Sequence, residues 1–232
     1  MCSTTFEALT RLRPPSDEMK AELDSNRADL DALSRGEKPE YKSSFSWFER
    51  EVVDTDLEGA VLVDAFLQSA RFLRCRLDRA LVYDALAGYS VWDGSSLVEA
   101  EFNKAILAEA SLRHTLLDRA RFVKTDLAGA VFTGARACGA NFFKAWLLDA
   151  DLAGVDLRDA DLTRANLEGA DLSGAMLAGA NLTKCFINAS TKLAGCTGLE
   201  SVKVDLLFVD GAKLEGDAAR RALLEHAAAP PA

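Results

Sequence analysis

Residues 160–182 read ADLTRANLEGADLSGAMLAGANL, and the triplets ADL, ANL, ADL, AML and ANL start five residues apart. Five is the period of neither a helix, at 3.6, nor a flat strand, at 2. It suits a chain that turns a corner after each pentapeptide and buries two positions of every five. Four pentapeptides then make one coil of about 20 residues, and coils stack at the strand spacing of about 4.8 Å. The large apolar residue fills the axis. The small residue two before it points inward near a corner, where a bigger side chain would collide. The remaining three face water, which is why they are Asp, Asn, Arg, Glu, Thr or Gly here.

Walking outward from this stretch, the register runs from Leu57 to Ile187 through 27 pentapeptides without insertion. Only Ala87 and Ala137 replace a large axial residue, and Trp92 and Phe142 follow them closely enough to fill the gaps. The small slot holds Ala or a substitute such as Thr55, Cys75, Ser90, Ser95, Thr115, Thr125, Val155 or Cys185. An internal repeat of this length outranks local propensity in deciding a fold.

The motif A(D/N)LXX, held in register over about residues 52–190, resembles the pentapeptide-repeat family. The resemblance implies an all-β fold, a right-handed quadrilateral β-helix, here a rod of about 32 Å at the strand spacing. Three segments are expected: a helical N-terminal cap over 1–48, the repeat over 49–191, and a C-terminal cap over 192–232. Pro14, Pro15 and Ser16 read as a helix start, Met19, Leu23, Leu30 and Leu33 as its apolar positions, and Gly36 as its stop. Phe45, Trp47 and Phe48 are expected over the first coil. The repeat is expected to fail at Lys192, where an apolar residue is due. A strand with a turn and a short helix follow. In gyrase-protecting members of the family the C-terminal end makes a homodimer. Val204, Leu206, Leu207, Phe208, Leu223 and Leu224 are therefore candidate dimer contacts, with a monomeric cap as the other reading.

Composition narrows the function classes. The 232 residues are 49% hydrophobic with only 5 prolines, a folding composition. A formal net charge of −9 argues against wrapping nucleic acid through its phosphates, so no direct nucleic-acid binding is expected. No run of 18 apolar residues occurs, so no membrane span is expected, and the N-terminus lacks an apolar signal core. Five cysteines without a CxxC suggest reduced thiols used as core residues in a cytoplasmic protein. His114 and His226 have no partner at useful spacing, and no phosphate loop or nucleophile motif is present. Neither enzyme activity nor a cofactor or metal is expected.

Outward residues 20 apart should stack in columns. One column ends in five cations, Lys104, Lys124, Lys144, Arg164 and Lys184, which would repel one another at about 4.8 Å spacing. Either Glu101 and Asp161 balance them in water, or they form a binding stripe. The next face carries Phe66, Leu86, Ile106, Trp146 and Phe186 where the family places Asp or Asn, with Glu109, Asp126, Asp149 and Glu168 beside them. A column of exposed apolar groups requires either cover from the chain's own termini or a partner.

The expected function is non-enzymatic binding through the rod surface, with a protein partner. The alternative implied by resemblance to Qnr-type proteins is a DNA-mimicking protector of DNA gyrase or topoisomerase IV, conferring resistance or self-immunity to a topoisomerase poison. Duplex DNA of that length carries about 19 charges, at one per ~1.7 Å, roughly twice the net charge of this whole chain. The loop insertions of many Qnr-type proteins are also missing.

Overall fold

The computed structural model describes residues 12–34 and 46–228. Parallel bridges join residues 20 apart through the repeat, as in Asp56 to Arg76, Val61 to Leu81, Phe66 to Leu86 and Arg71 to Val91. Four ladders thus run along the chain, and the fifth pentapeptide always returns to the ladder of the first. The chain is a β-solenoid.

Each pentapeptide has one bridged residue, one axial residue and a two-residue turn. The turn closes by a hydrogen bond from the small-slot N–H to the preceding axial carbonyl, as from Ala165 to Leu162 at 2.8 Å. Its second residue has positive φ throughout, 62° at Arg164 and 73° at Gly169, the sign required by a type II turn. Glycine holds this position at least strain. Every axial residue from Leu57 to Ile187 is buried, including Ala87 and Ala137, and so is every small-slot residue. Hydroxyls in the small slot bond to carbonyls, as from Ser95 Oγ to Phe72 O at 2.9 Å and from Thr125 Oγ1 to Phe102 O at 2.7 Å. Along the axis, Phe102, Phe122 and Phe142 stack with centroids 5.1 and 5.0 Å apart.

The axis is longer than its strict period. It begins at Trp47, which is buried on the axis while Phe48 is exposed. Phe45 and Gly36 lie outside the described residues. Helix α1 (Asp17–Ser34) starts where the Pro-Pro-Ser signal places it, with the Met19 N–H donating to Ser16 Oγ at 3.2 Å. It buries Met19 and packs Leu23 at the first coil, and Asn26 Nδ2 and Arg27 reach the carbonyls of Val61 and Gly59.

At the other end the strict period fails at Lys192, as expected, but the coil continues beyond it. One extra residue shifts the register, so that Lys192 faces outward and bridges Asp171, 21 residues back, while Leu193 takes the axis. By Lys203 the offset is 22, and Val202, Val204 and Leu207 are buried. The short strands β1 (Glu51–Val53) and β2 (Arg71–Leu73) pair near the start. At the end, β3 (Cys185–Ile187) pairs in parallel with β4 (Leu206–Val209), which pairs antiparallel with β5 (Ala212–Glu215). Asp210 and Gly211, both at positive φ, make their hairpin turn. Helix α2 (Asp217–Ala228) buries Ala219 and Leu223 against this end.

Candidate interaction face

Period five places the bridged residues of every fourth pentapeptide on one ladder. One ladder runs Phe66, Leu86, Ile106, Asp126, Trp146, Asn166, Phe186 and Phe208. Its large apolar members stand in water at 39% (Phe66), 39% (Leu86), 43% (Ile106), 59% (Trp146) and 37% (Phe186) exposure. From helix α1, Asn26 and Arg27 reach the neighbouring stretch at Val61 and Gly59 rather than this column.

The cation column flanks the apolar one across a single inward small residue, Ala105, Thr125, Ala145, Ala165 or Cys185. Its members Lys104 to Lys184 all occupy turn positions with φ between 58° and 65°. Within it, Lys104 approaches Asp84 at 3.9 Å, and Lys144 Nζ lies 5.3 Å from the Phe143 ring centroid. Neither Glu101 nor Asp161 forms an ion pair within 4.0 Å with a cation of the column. Glu101 accepts from Asn103 Nδ2, and Asp161 accepts the Thr163 N–H. Among the described residues no carboxylate lies within 4.0 Å of Lys124, Lys144, Arg164 or Lys184. At the acidic start of the column, burial, with the neighbouring Asp84 charge, raises the Asp64 carboxyl above its usual range.

Near the C-terminal end the two columns enclose a cavity of about 580 Å³, lined by Lys144, Arg164 and Lys184 on one side and Trp146, Asn166, Phe186 and Phe208 on the other. Phe208 stacks on Phe186 with centroids 4.6 Å apart and planes 9° apart. Phe208 was hidden from a strict period of five, because two inserted residues are what bring it onto this ladder.

The six candidate dimer residues divide. Val204, Leu207 and Leu223 are buried in the chain's own core, where they close the end of the solenoid. Leu206 and Phe208 are half-buried, and Leu224 is exposed. Of the histidines, His114 is exposed in a turn and His226 Nε2 lies 2.9 Å from the Asn188 carbonyl. Among the described residues there is no group of three or more metal-binding side chains, and no helix is long and apolar enough to cross a membrane.

Elsewhere several surface acids are matched by arginines, mostly one coil on. Arg74 holds Asp54 at 2.8 Å and Arg119 holds Glu99 at 2.7 Å. Arg76 pairs with Asp56, Arg79 with Glu58 and Arg136 with Asp118. Hydrogen bonds from Arg158 hold the Asp156 carboxyl below its usual range.

The described residues form a solenoid of pentapeptide coils with an apolar and a cationic column side by side on its surface. The chain belongs to the pentapeptide-repeat family: the family described as Pentapeptide repeats matches residues 105–142 and 150–188, in 8 copies. Among solved structures it is similar to HetL of the cyanobacterium Nostoc, involved in heterocyst differentiation regulation. The identity is 25%, covering 79% of this chain and 96% of that one, with a TM-score of 0.33. A pentapeptide repeat protein of the Arabidopsis thaliana thylakoid lumen is 33% identical over 50% of this chain and 72% of that one, with a TM-score of 0.35. Full-length QnrB1, a plasmid-mediated fluoroquinolone resistance protein, is 18% identical over 78% of this chain and 96% of that one, with a TM-score of 0.41. A comparison with curated proteins finds no match.

Proposed function

We propose that the chain is a non-enzymatic binding protein, a right-handed quadrilateral β-helix that takes a protein partner along the face of Phe66, Leu86, Ile106, Trp146 and Phe186. Right-handed connection is the physical default for parallel strands, and four ladders suit a square cross-section. The reading is carried by one observation, the exposure of these five side chains on a single ladder. A monomer seldom leaves an apolar column in water, even one interrupted, as here, at Asp126 and Asn166. Cations beside it add charge selectivity and faster encounter with an acidic partner.

The test places a photo-reactive side chain at Ile106 and, as control, at Leu116 on another ladder, in cells that contain the chain. A defined adduct is expected at 106 and not at 116. Wild-type chain should compete it away, and an Ile106→Ser, Trp146→Ser double variant of unchanged melting temperature should not. Equal adducts at both positions would sink the proposal.

Duplex mimicry at a type II topoisomerase is the second reading, resting on the net charge of −9. It needs a continuous acidic stripe, whereas the acids at Asp54, Asp56, Glu58, Glu99 and Asp118 are each bound by arginine. Supercoiling by purified gyrase, with and without a poison, decides it, and unchanged turnover removes it.

A further inference from the structure

We infer that the cavity between Trp146 and Phe186 is a binding site for a small planar aromatic anion, such as an aromatic carboxylate. The reasoning begins with the ladder. Rings on successive coils of this solenoid stack face to face, as Phe186 and Phe208 do at 4.6 Å on this very column. Trp146 and Phe186 sit on the same column two coils apart, about 9.6 Å at the strand spacing. The coil between them contributes Asn166, the one member of this run without a ring. Its amide is bent down into its own turn, with Oδ1 accepting the Glu168 N–H at 3.1 Å and Nδ2 directed to Glu168 Oε2 at 3.4 Å.

The aromatic stack Trp146, Phe186, Phe208 is therefore interrupted by one rung. A flat ring laid over Asn166 would lie about 4.8 Å from each neighbour, inside the 4.5–7 Å range that aromatic pairs favour. The cavity, about 580 Å³, falls in the size range of small-molecule sites.

Charge settles the substituent. Lys144, Arg164 and Lys184 line one edge of the cavity, with no carboxylate within 4.0 Å of any of them among the described residues. Three cations about 4.8 Å apart raise one another's energy, and an anion between them relieves that repulsion. Arg164, in the middle coil, stands level with the Asn166 rung and presents the planar fork that grips a carboxylate with two parallel bonds. Ring in the slot and carboxylate on Arg164 define the ligand class. This site lies on the face assigned above to a partner, but its occupancy needs no partner, so the two readings fail separately.

The test is calorimetric titration of the purified full chain with 2-naphthoate, alongside neutral 2-naphthalenemethanol and acetate. One 2-naphthoate per chain is expected, with affinity at least tenfold above either control and declining as salt is raised. Arg164→Gln and Lys184→Gln should each weaken it at least tenfold. Asn166→Trp, which puts a ring of the chain's own in the slot, should abolish it. Circular dichroism and melting temperature check that each variant keeps its fold, as outward positions should. No heat from 2-naphthoate at millimolar concentration overturns the site. Equal binding of the neutral alcohol, or binding indifferent to Arg164→Gln, overturns the anion, and retention by Asn166→Trp overturns the slot.

Discussion

At the residue scale the small slot does more than save space. It holds Cys75 and Cys185, and after the register shift Cys196, beside the many alanines. Burial raises the Cys75 and Cys196 thiols to about 11 and pushes Cys185 higher still. In the unfolded chain these thiols ionise near 9.0, the ordinary value. Below that pH both states keep their protons and the contribution to stability is whole. Above it unfolding releases protons that the fold withholds, and stability is lost as pH climbs through the folded values. The melting temperature should therefore fall between about pH 9 and 11. A Cys75→Ala, Cys185→Ala, Cys196→Ala variant should fall less over the same range, since Ala is the slot's usual occupant. An equally deep fall in the triple variant would assign the loss to other groups. The slot assignment of Cys75 and Cys185 was legible from the period alone. That of Cys196 was not, because a single extra residue before Lys192 moves the positions that follow it, Cys196 included, by one, and nothing in the local composition marks where a turn absorbs it.

Elements matter at the two ends, where the repeat cannot supply its own neighbour. Helix α1 is fixed to the first coil through Glu22, whose Oε2 accepts from Trp47 Nε1 at 2.7 Å and from Arg50 Nη1 at 2.7 Å. Arg50 also lies 5.0 Å over the Trp47 ring. Trp47 is almost wholly buried, so removing Glu22 leaves its indole N–H without that acceptor. Losing a hydrogen bond to a charged partner costs about 1.5–3 kcal/mol. A Glu22→Ala variant should melt several degrees lower, and Glu22→Gln, which keeps an acceptor, should recover much of the difference. Identical melting curves for all three would mean that α1 is not a working cap. The helix itself could be read from Pro14, Pro15, Ser16 and Met19, because start signals are local. Its anchor could not, since Glu22 and Trp47 belong to different segments and only the finished coil brings them together. The interaction face shows the same division. Its five apolar residues and five cations followed from counting in twenties, whereas Phe208 reached the column only through the shifted end.

For the whole molecule, an open stack of coils stays single only if both ends are closed. Beyond Gly198 the chain supplies that closure. The Lys203 and Leu206 carbonyls accept from the Leu182 and Lys184 N–H groups at 2.8 and 2.6 Å, and β4 pairs along β3. Val202, Val204, Leu207 and Leu223 are buried there, and Phe208 covers one side of Phe186. Burying one such aliphatic side chain contributes about 1.5–3 kcal/mol, so the four together outweigh what a solenoid of this size can lose without consequence. Truncation after Gly198 should accordingly lower the melting temperature by more than about 10 °C, at 2–4 °C per kcal/mol for a chain of this length. It should also make the remainder self-associate, because β3 would become an unpaired parallel edge beside exposed leucines. Scanning calorimetry and light scattering on both lengths measure the two effects. The opposite pair of results, a full-length dimer that becomes a monomer of unchanged melting temperature, would show that this segment joins two rods and that its buried residues are dispensable to either one.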